Sequence, residues 1–293
     1  MNKTMDTLIL GLLAETFVHP GMGSVGGAID LPVAREAATD YPVIAGSSLK
    51  GAIKDKAQQE KWPDVCVMEE GKPALDNEGK PRMKLHAEVE KYFGKQDNAG
   101  QILVSDARLL LLPVRSLNGS YKWVTCPHLI ERLSRDLKRA GRTAEVLEVI
   151  DLKTKYYLGK DNGTLYLEER RFEWQNTLPR NLDSALGELV LHEQTRKRLA
   201  SQIVVLNDTD FTWFARYGLA IQARNVLDEN KRSENLWYEE SLPPDTLFYA
   251  LIAVRNPEAM AAIKELMNQK PYLQVGGNET VGQGWFEVQV LQL

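Results

Sequence analysis

The chain alternates apolar runs with polar, glycine-rich loops. Residues 7–17 are apolar and end in such a loop, which predicts a first, buried strand. Residues 47–60 are predicted to form a helix capped by Ser47 or Ser48, because apolar residues recur on one face at every fourth position: Leu49, Ile53 and Ala57. The long apolar run over 101–114 is typical of a central strand.

A second helix is predicted over residues 127–140. Thr125 or Cys126 is expected to cap it, Pro127 suits its first turn, and Gly141 ends it. The residues predicted to face the interior are Leu129, Ile130, Leu133 and Leu137.

Three further segments have local signals. Residues 156–168 are predicted to form a β-hairpin, because Asn-Gly at 162–163 lies between two β-rich arms. Asp208 or Asp210 is expected to cap a helix that runs to Val226. Residues 62–82 are polar and rich in glycine, proline and charge, as in an exposed insertion.

The last third has the clearest order of elements. A strand is predicted over 246–254, a helix over 257–269, strands over 272–275 and 285–291, and a loop over 276–284. Strand–helix–strand units therefore occur at both ends of the chain. This arrangement favours an α+β class with an RRM-like or ferredoxin-like core. We expect one domain over 1–293, with insertions at about 62–100 and 151–185, one of them a thumb-like β-hairpin.

Composition narrows the possible functions. The 293 residues are 43% hydrophobic and have a net charge of −4, which argues against a protein that coats nucleic acid through overall positive charge. Cys66 and Cys126 lack the spacing of a zinc site or a disulfide framework. No apolar run is long enough for a membrane span, and no secretory leader is recognisable, so we expect a cytoplasmic protein without a membrane partner.

The segment 19–50 contains a pattern suited to phosphate groups. Its glycines allow backbone amides to approach a ligand closely; they are Gly21, Gly23, Gly26 and Gly27. The turn over 46–48, Gly-Ser-Ser, offers free N–H groups at the start of a helix. Taken alone, the basic residues near this segment are more simply the solvated faces of helices, and the glycine loop over 276–284 is more simply a wide hairpin turn.

The glycine-rich loop over 276–284, GGNETVGQG, resembles a dinucleotide-binding fingerprint. That fingerprint requires a helix directly after the glycines. Here the next residues alternate as a strand, so a nicotinamide site is not expected.

Six blocks of the sequence form a recognisable set: DLPVARE, PVIAGSSLKGAIK, LLPVRSLNGSYKWVTCPHLIERL, LNDTDFTWF, LWYEESLPPDTLFYALI and LQVGGNETVGQGWFEV. Together they resemble the RAMP superfamily of CRISPR proteins, in particular the repeated backbone subunits of type III-B (Cmr) effector complexes. They extend over nearly the whole chain.

The resemblance implies a subunit that stacks in several copies along a CRISPR guide RNA and cuts complementary target RNA. Its implied partners are guide RNA, target RNA, further copies of itself and other type III-B subunits. The thumb that distorts the guide–target duplex is expected within 156–168 or 62–82. The residues expected to bind RNA are Arg35, Ser47, Ser48, Lys50, Lys54, Gly276, Gly277, Asn278, Gly282 and Gly284.

Asp30 is the principal catalytic candidate that the resemblance implies. The target's own 2′-hydroxyl can attack the adjacent phosphate once a nucleotide is displaced into line. An isolated carboxylate is a weak base for a hydroxyl, so we expect Asp30 to bind a divalent metal, Mg²⁺ or Mn²⁺. His19 could move a proton, and Tyr238 and Glu239 belong to the WYEE block near the expected cut.

Alternatives remain for this site and for the whole chain. Glu239 and Glu240 could instead form a solvated turn before the two prolines, and Asp208 and Asp210 could be helix caps. The chain could also be a non-catalytic guide-binding subunit, a metal-independent guide-processing endoribonuclease, or a small-molecule enzyme that binds nucleotide phosphates.

Overall fold

A computed structural model describes residues 5–21, 23, 29–69, 72–142 and 150–291. Its helices are α1 (Gly46–Glu60), α2 (Ala87–Phe93), α3 (Pro127–Arg139), α4 (Leu182–Gly187), α5 (Glu193–Gln202), α6 (Asp208–Tyr217) and α7 (Pro257–Gln269). Its strands are β1 (Asp6–Ala14), β2 (Val43–Ile44), β3 (Val65–Cys66), β4 (Met68–Glu69), β5 (Lys72–Pro73), β6 (Met83–Lys84), β7 (Gly94–Lys95), β8 (Asn98–Ala99), β9 (Ile102–Val104), β10 (Ala107–Arg115), β11 (Tyr121–Thr125), β12 (Tyr156–Gly159), β13 (Thr164–Leu167), β14 (Arg170–Asn176), β15 (Ile203–Leu206), β16 (Ala220–Leu227), β17 (Ser233–Ser241), β18 (Leu247–Val254), β19 (Tyr272–Gln274) and β20 (Trp285–Leu291).

The centre of the fold is a ferredoxin-like unit. Its strands lie in the order β10-β18-β1-β20, and every neighbouring pair is antiparallel. Helix α1 follows the first strand of this unit, and α7 follows the third. Ion pairs of Lys61 with Glu265 and of Lys270 with Glu60 join the two helices on one face of the sheet. The predicted α+β class with a ferredoxin-like core is therefore confirmed.

The sheet continues beyond this core. From β10 it extends through β11, β15, β12 and β14 to β13, while β19 adds to the other edge beside β20. Strands β2 and β9 pair with β10 and β18. Residues that face the interior along these strands are almost all aliphatic or aromatic, which places one continuous apolar core over most of the sheet.

Helix α1 forms where the periodicity predicts it. Leu49, Ile53 and Ala57 are fully buried on its inner face. The serine caps are wrong, because the N-cap is Ala45, which has no side-chain bond. The N–H of Gly46 instead donates to the Asp106 carboxylate over 2.7 Å. Asp106 lies at a break between β9 and β10, where a single strand over 101–114 was expected.

Helix α3 also matches its prediction, with Cys126 at the N-cap, Pro127 at the first position and Gly141 at positive φ after the end. The Cys126 side chain makes no capping bond. A free N–H of the first turn, on His128, donates to Asp208 over 3.0 Å. The N-cap of α6 is Asn207, whose side chain accepts the Thr209 N–H. Asp208 therefore does not cap its own helix.

The predicted hairpin over 156–168 is wrong in its pairing. Strands β12 and β13 both form, but β14 lies between them, parallel to β12 and antiparallel to β13. Gly163 adopts a φ of 117°, so the Asn-Gly signal marks a real turn. The turn connects β12 and β13, which are not adjacent in the sheet because β14 lies between them and pairs with both.

A long hairpin occurs where a helix was expected. Helix α6 ends at Tyr217, and residues from Ala220 onward form β16 rather than helix up to Val226. Strands β16 and β17 form a separate two-stranded sheet, here called the protruding hairpin. Most of its residues are exposed, and only the last three residues of β17 are buried.

The segment that contains α4 and α5 packs directly on the central sheet. A side chain at Gly11 of β1 would place its Cβ only 1.9 Å from the Leu189 carbonyl oxygen. This approach is possible because glycine has no side chain. It brings the backbone of residues 189–192 against the sheet face that presents Gly11.

Residues 62–100 contribute little to the central sheet. They form three small two-stranded sheets, β3 with β6, β4 with β5, and β7 with β8, around helix α2. Most of residues 62–84 are exposed. Within the part of the chain that the structure describes, no helix is long and apolar enough to cross a membrane.

Candidate active site

Asp30 lies exposed beside the base of the protruding hairpin. Its Oδ2 accepts the backbone N–H of Tyr238 over 2.8 Å. The next residue, Leu31, extends β17 as a short parallel bridge, since its N–H donates to the Tyr238 carbonyl and its carbonyl accepts the Glu240 N–H. The Asp30 carboxylate is thus fixed on one side and open to solvent on the other.

A buried ion pair holds this arrangement from beneath. Glu240 is 3% exposed, and its carboxylate accepts the Val33 N–H over 3.0 Å and an Arg35 N–H over 2.7 Å. The Arg35 guanidinium also donates to the carbonyls of Asp40 and Ala215. Arg35, expected to bind RNA, has its guanidinium occupied by protein partners in this structure. The interpretation of Glu240 as part of a solvated turn is wrong.

His19 lies within hydrogen-bonding distance of the same strand. Its Nδ1 is 2.7 Å from the Glu240 carbonyl oxygen, which can only accept, so Nδ1 carries the proton. The other ring nitrogen, Nε2, is then an acceptor. It lies beside Gly21, where a Cβ would come within 2.9 Å. The position of Nε2 suits a group that accepts a proton.

Tyr238 and Glu239 point to different sides of β17. Tyr238 is 45% exposed, while Glu239 is only 2% exposed and accepts a hydrogen bond from the Asn278 amide. Glu239 is therefore buried, and the solvated-turn interpretation is wrong for it too. Its Oε2 lies 3.7 Å from Arg224 Nε on β16. Asn278 adopts a left-handed φ of 63° to reach it.

The carboxyl-terminal glycine loop braces these residues. The N–H of Gly277 donates to the His19 carbonyl over 3.0 Å, and a Cβ on Gly276 would clash with that carbonyl. Gly284 packs equally tightly against the Val275 carbonyl, whereas Gly282 faces open space. Strand β20, not a helix, follows the loop, which agrees with the exclusion of a dinucleotide site.

A groove of about 530 Å³ brings the two glycine segments to the start of α1. Its lining includes His19, Gly21, Ser48, Gly276 and Gly277. Ser47 and Ser48 are exposed at this helix end. Of the predicted loop glycines, Gly26 and Gly27 lie outside the described residues. The groove therefore combines polar backbone, a helix N-terminus and the His19 ring.

Two of the three lysines of α1 differ from most basic residues of the protein. Lys50 and Lys54 are half-buried and have no hydrogen-bond or ion-pair partner among the described residues. On α3, in contrast, Arg132 forms a two-pronged pair with Glu36, one bond of which spans 2.9 Å. Burial raises the pKa of the Glu36 carboxyl. The hydrogen bonds from Arg132 and Thr39 lower that pKa by more than burial raises it, so the net pKa lies below its usual value.

The sequence-based reasoning missed Arg224 and Trp237, a cross-strand pair in the protruding hairpin. Arg224 Nε and Nη2 and Trp237 Nε1 are buried and have no hydrogen-bond partner among the described residues. The signal was available in principle, since AIQARNVL and LWYEE flank a polar turn, DENKRS. The alternation of apolar and polar residues along β16 predicts a strand, whereas the preceding helix was expected to continue through this segment.

Comparison with known proteins identifies the family. The RAMP superfamily model matches residues 12–287, which is most of the chain. The chain belongs to the RAMP superfamily.

Within the RAMP superfamily, the "CRISPR system Cmr endoribonuclease Cmr4" of Pyrococcus furiosus is 33% identical over 97% of this chain and 95% of its own length. The "CRISPR system CMR subunit Cmr4" of Saccharolobus solfataricus is 25% identical over 95% of this chain and 94% of its own. A crystal structure of oligomeric Cmr4 from Pyrococcus furiosus superposes with a TM-score of 0.73 at 29% identity, covering 99% of each chain. The resemblance stated from the sequence blocks is confirmed.

The residues near Asp30 are compatible with a hydrated magnesium ion. Mg²⁺ is usually held by one or two carboxylates together with substrate phosphates and several waters. Asp30 offers one open carboxylate oxygen at the surface, and no other carboxylate of the described residues forms a metal-binding cluster with it. The remaining ligands would have to come from RNA and water.

Proposed function

We propose that this RAMP protein is the repeated, RNA-cleaving backbone subunit of a type III-B CRISPR effector. The end-to-end similarity to an endoribonuclease of that system supports the assignment. The observation that carries the catalytic part is the Asp30 carboxylate, fixed by the Tyr238 N–H yet open to solvent at the base of the protruding hairpin.

Each residue of the site has a role that follows from its position. Asp30 holds the divalent metal, which neutralises phosphate charge when it is bound. His19 Nε2, an acceptor at the groove wall, takes a proton from the attacking 2′-hydroxyl. Glu239 and Asn278 position the base of β17, and Tyr238 contacts the displaced nucleotide through its exposed ring.

We assign the role of the thumb to the protruding hairpin in place of the two segments expected from the sequence. It exposes several large apolar side chains, which can stack on or separate bases: Ile221, Val226, Leu227, Leu236 and Tyr238. Its base also holds Asp30, so one element both distorts the duplex and positions the catalytic carboxylate. Alignment of the hydroxyl with the phosphate is the main contribution of such distortion.

The groove and α1 bind the guide RNA in this proposal. Ser47 and Ser48 lie at the amino-terminal end of α1, where free N–H groups favour phosphates, and Ser48 lines the groove. Lys50 and Lys54 add positive charge on another face of the same helix. Further copies of the chain and other type III-B subunits continue the filament, in line with the oligomeric relative. The cytoplasm, where the free thiols of Cys66 and Cys126 stay reduced, is the proposed compartment.

The decisive experiment uses the assembled complex with guide RNA and a labelled target. Asp30→Asn is expected to lower the cleavage rate by about 100-fold or more while target affinity stays unchanged, because only the metal ligand is lost. The matched control is Asp76→Asn, an exposed aspartate that also accepts backbone N–H bonds. Unchanged cleavage by Asp30→Asn would support the non-catalytic subunit instead.

Two additions to the same assay test the chemistry. A chelator should stop cleavage, and Mg²⁺ or Mn²⁺ should restore it; continued cleavage would favour a metal-independent guide-processing enzyme. A single deoxynucleotide at the scissile position should permit binding but prevent cleavage there, since the attacking hydroxyl is missing. Cleavage at that position would indicate an activated water.

A further inference from the structure

A buried carboxylate lies in the central sheet, on a strand that contributes no residue to the proposed cleavage site. Glu287 of β20 is 1% exposed and lies opposite Leu13 of β1 and Tyr272 of β19. Its Oε1 accepts the Leu191 N–H. Its Oε2 is buried and has no hydrogen-bond partner among the described residues. A buried carboxylate oxygen without a partner is costly, so a missing cation is indicated.

Two other side chains that can bind metals lie near the Glu287 carboxylate. His192, at the N-cap of α5, has its Nε2 3.4 Å from Glu287 Oε2. Glu15 follows the end of β1. One ligand atom from each of the three residues lies within 4.8 Å of the others. Both His192 and Glu15 are exposed, which leaves a path by which an ion enters.

We propose that Glu15, His192 and Glu287 form a binding site for a divalent transition metal, with Zn²⁺ as the best fit. Zinc takes histidine nitrogen and carboxylate oxygen at about 2.1 Å, which separates two tetrahedral ligands by about 3.4 Å. The observed distance from His192 Nε2 to Glu287 Oε2 is 3.4 Å. Water completes the fourth position. One imidazole with only two carboxylates does not suit Ca²⁺, which requires six to eight oxygen ligands.

Other groups around the cluster do not remove the need for a cation. The Tyr272 hydroxyl is 3.4 Å from the same His192 nitrogen, and its hydroxyl could donate to that nitrogen when no metal is bound. Burial, with a smaller contribution from the charge of Glu15, raises the pKa of the Glu287 carboxyl. Neither Tyr272 nor Glu15 donates a hydrogen bond to Glu287 Oε2 within the described part of the chain.

The site would fasten the α4–α5 segment to the sheet. Its three ligands come from the end of β1, the start of α5 and the middle of β20, which are far apart in sequence. The Leu191 N–H bond and the Leu189 approach to Gly11 already place this segment there. Metal binding would add stability without contact to Asp30, so the inference does not depend on the proposed cleavage.

The test uses the full-length chain with the Asp30→Asn change, which removes the proposed catalytic metal ligand. After chelator treatment and dialysis, we expect it to bind one Zn²⁺ per chain by calorimetry and to gain a higher melting temperature. Co²⁺ should give the visible absorption bands of a tetrahedral site. His192→Ala and Glu15→Gln should each weaken zinc binding at least about tenfold, since even indirect partners of a metal cost that much.

The control is Glu193→Gln, which removes a charge beside His192; among the described residues, Glu193 pairs only with Lys197 at the surface. It should bind zinc like the parent. Circular dichroism checks folding, which exposed positions such as His192 and Glu15 should not disturb. Zinc binding that survives His192→Ala, or the absence of any zinc-dependent melting shift in the parent, would overturn the proposal.

Discussion

Asp30 and Glu287 are carboxylates with opposite surroundings. Asp30 is exposed, is held by one backbone N–H and leaves an oxygen open to solvent. Glu287 is sealed in the sheet, and one of its oxygens has no hydrogen-bond partner among the described residues. In the two proposals, a metal at Asp30 would take most of its ligands from RNA and water, whereas a metal at Glu287 would take three ligands from the protein and one from water. The first proposed site would serve cleavage, and the second would join distant segments of the chain.

The largest expected effect concerns a buried acid next to the exposed one. Glu240→Gln should lower the free energy of unfolding by about 3 kcal/mol, because Arg35 would keep a poorly compensated charge inside the protein. Asp30→Asn should change it by no more than about 0.5 kcal/mol, as expected of a surface position. Urea unfolding measures both values.

The control for Glu240→Gln is Glu131→Gln, which breaks the exposed pair with Arg135 and should cost less than about 1 kcal/mol. A loss for Glu240→Gln no larger than that of this control would show that the buried pair does not hold the base of the hairpin. The contrast between the buried and exposed acids would then fail.

A smaller effect is expected for Lys50 and Lys54 of α1, which have no ion-pair partner among the described residues. The double variant Lys50→Ala with Lys54→Ala should weaken binding of single-stranded guide RNA about tenfold. It should also reduce the salt dependence of log K by about 1.4, the value for two phosphate contacts. Filter binding at several salt concentrations measures both quantities. Lys264→Ala on α7, a half-buried lysine of the neighbouring helix, should leave them unchanged. Equal losses in both variants would remove the special role of α1.

The smallest effect concerns pH. Because the pKa of Glu36 is lowered in the folded protein, its ionised form contributes stability above the ordinary value of 4.5, and this contribution is lost as the pH falls through the folded value. Glu36→Gln should therefore cost about 1 kcal/mol at neutral pH and progressively less in acid. Thermal melts across the acid range measure this. Glu78→Gln, in an exposed pair, should show no such trend.

Local periodicity was sufficient for the core. The strands and helices at both ends of the chain were predictable because one face of each is continuously apolar, as with Leu49, Ile53 and Ala57 of α1. The order of the strands in the sheet was harder to predict from the sequence. The arms at 156–159 and 164–167 each pair with β14 rather than with each other, and such pairing depends on later residues that a turn signal does not include.

The candidate site was predictable only in part. Asp30, His19 and the WYEE block were selected through family resemblance, and the structure brings them together. The pair of Arg35 with Glu240 joins residues 205 positions apart, so no local pattern could show that Arg35 is occupied. Helix caps failed for a similar reason: Asp106 and Asp208 satisfy N–H groups of other helices or of remote turns.

The position of β1 between β18 and β20 has a consequence for biosynthesis. Strand β1 leaves the ribosome more than 200 residues before β18 and β20, so it must wait for both partners. At a translation speed of about 20 residues per second, the wait exceeds roughly 10 s. During that interval the nascent chain exposes an unpaired apolar strand, to which chaperones that bind nascent chains can attach.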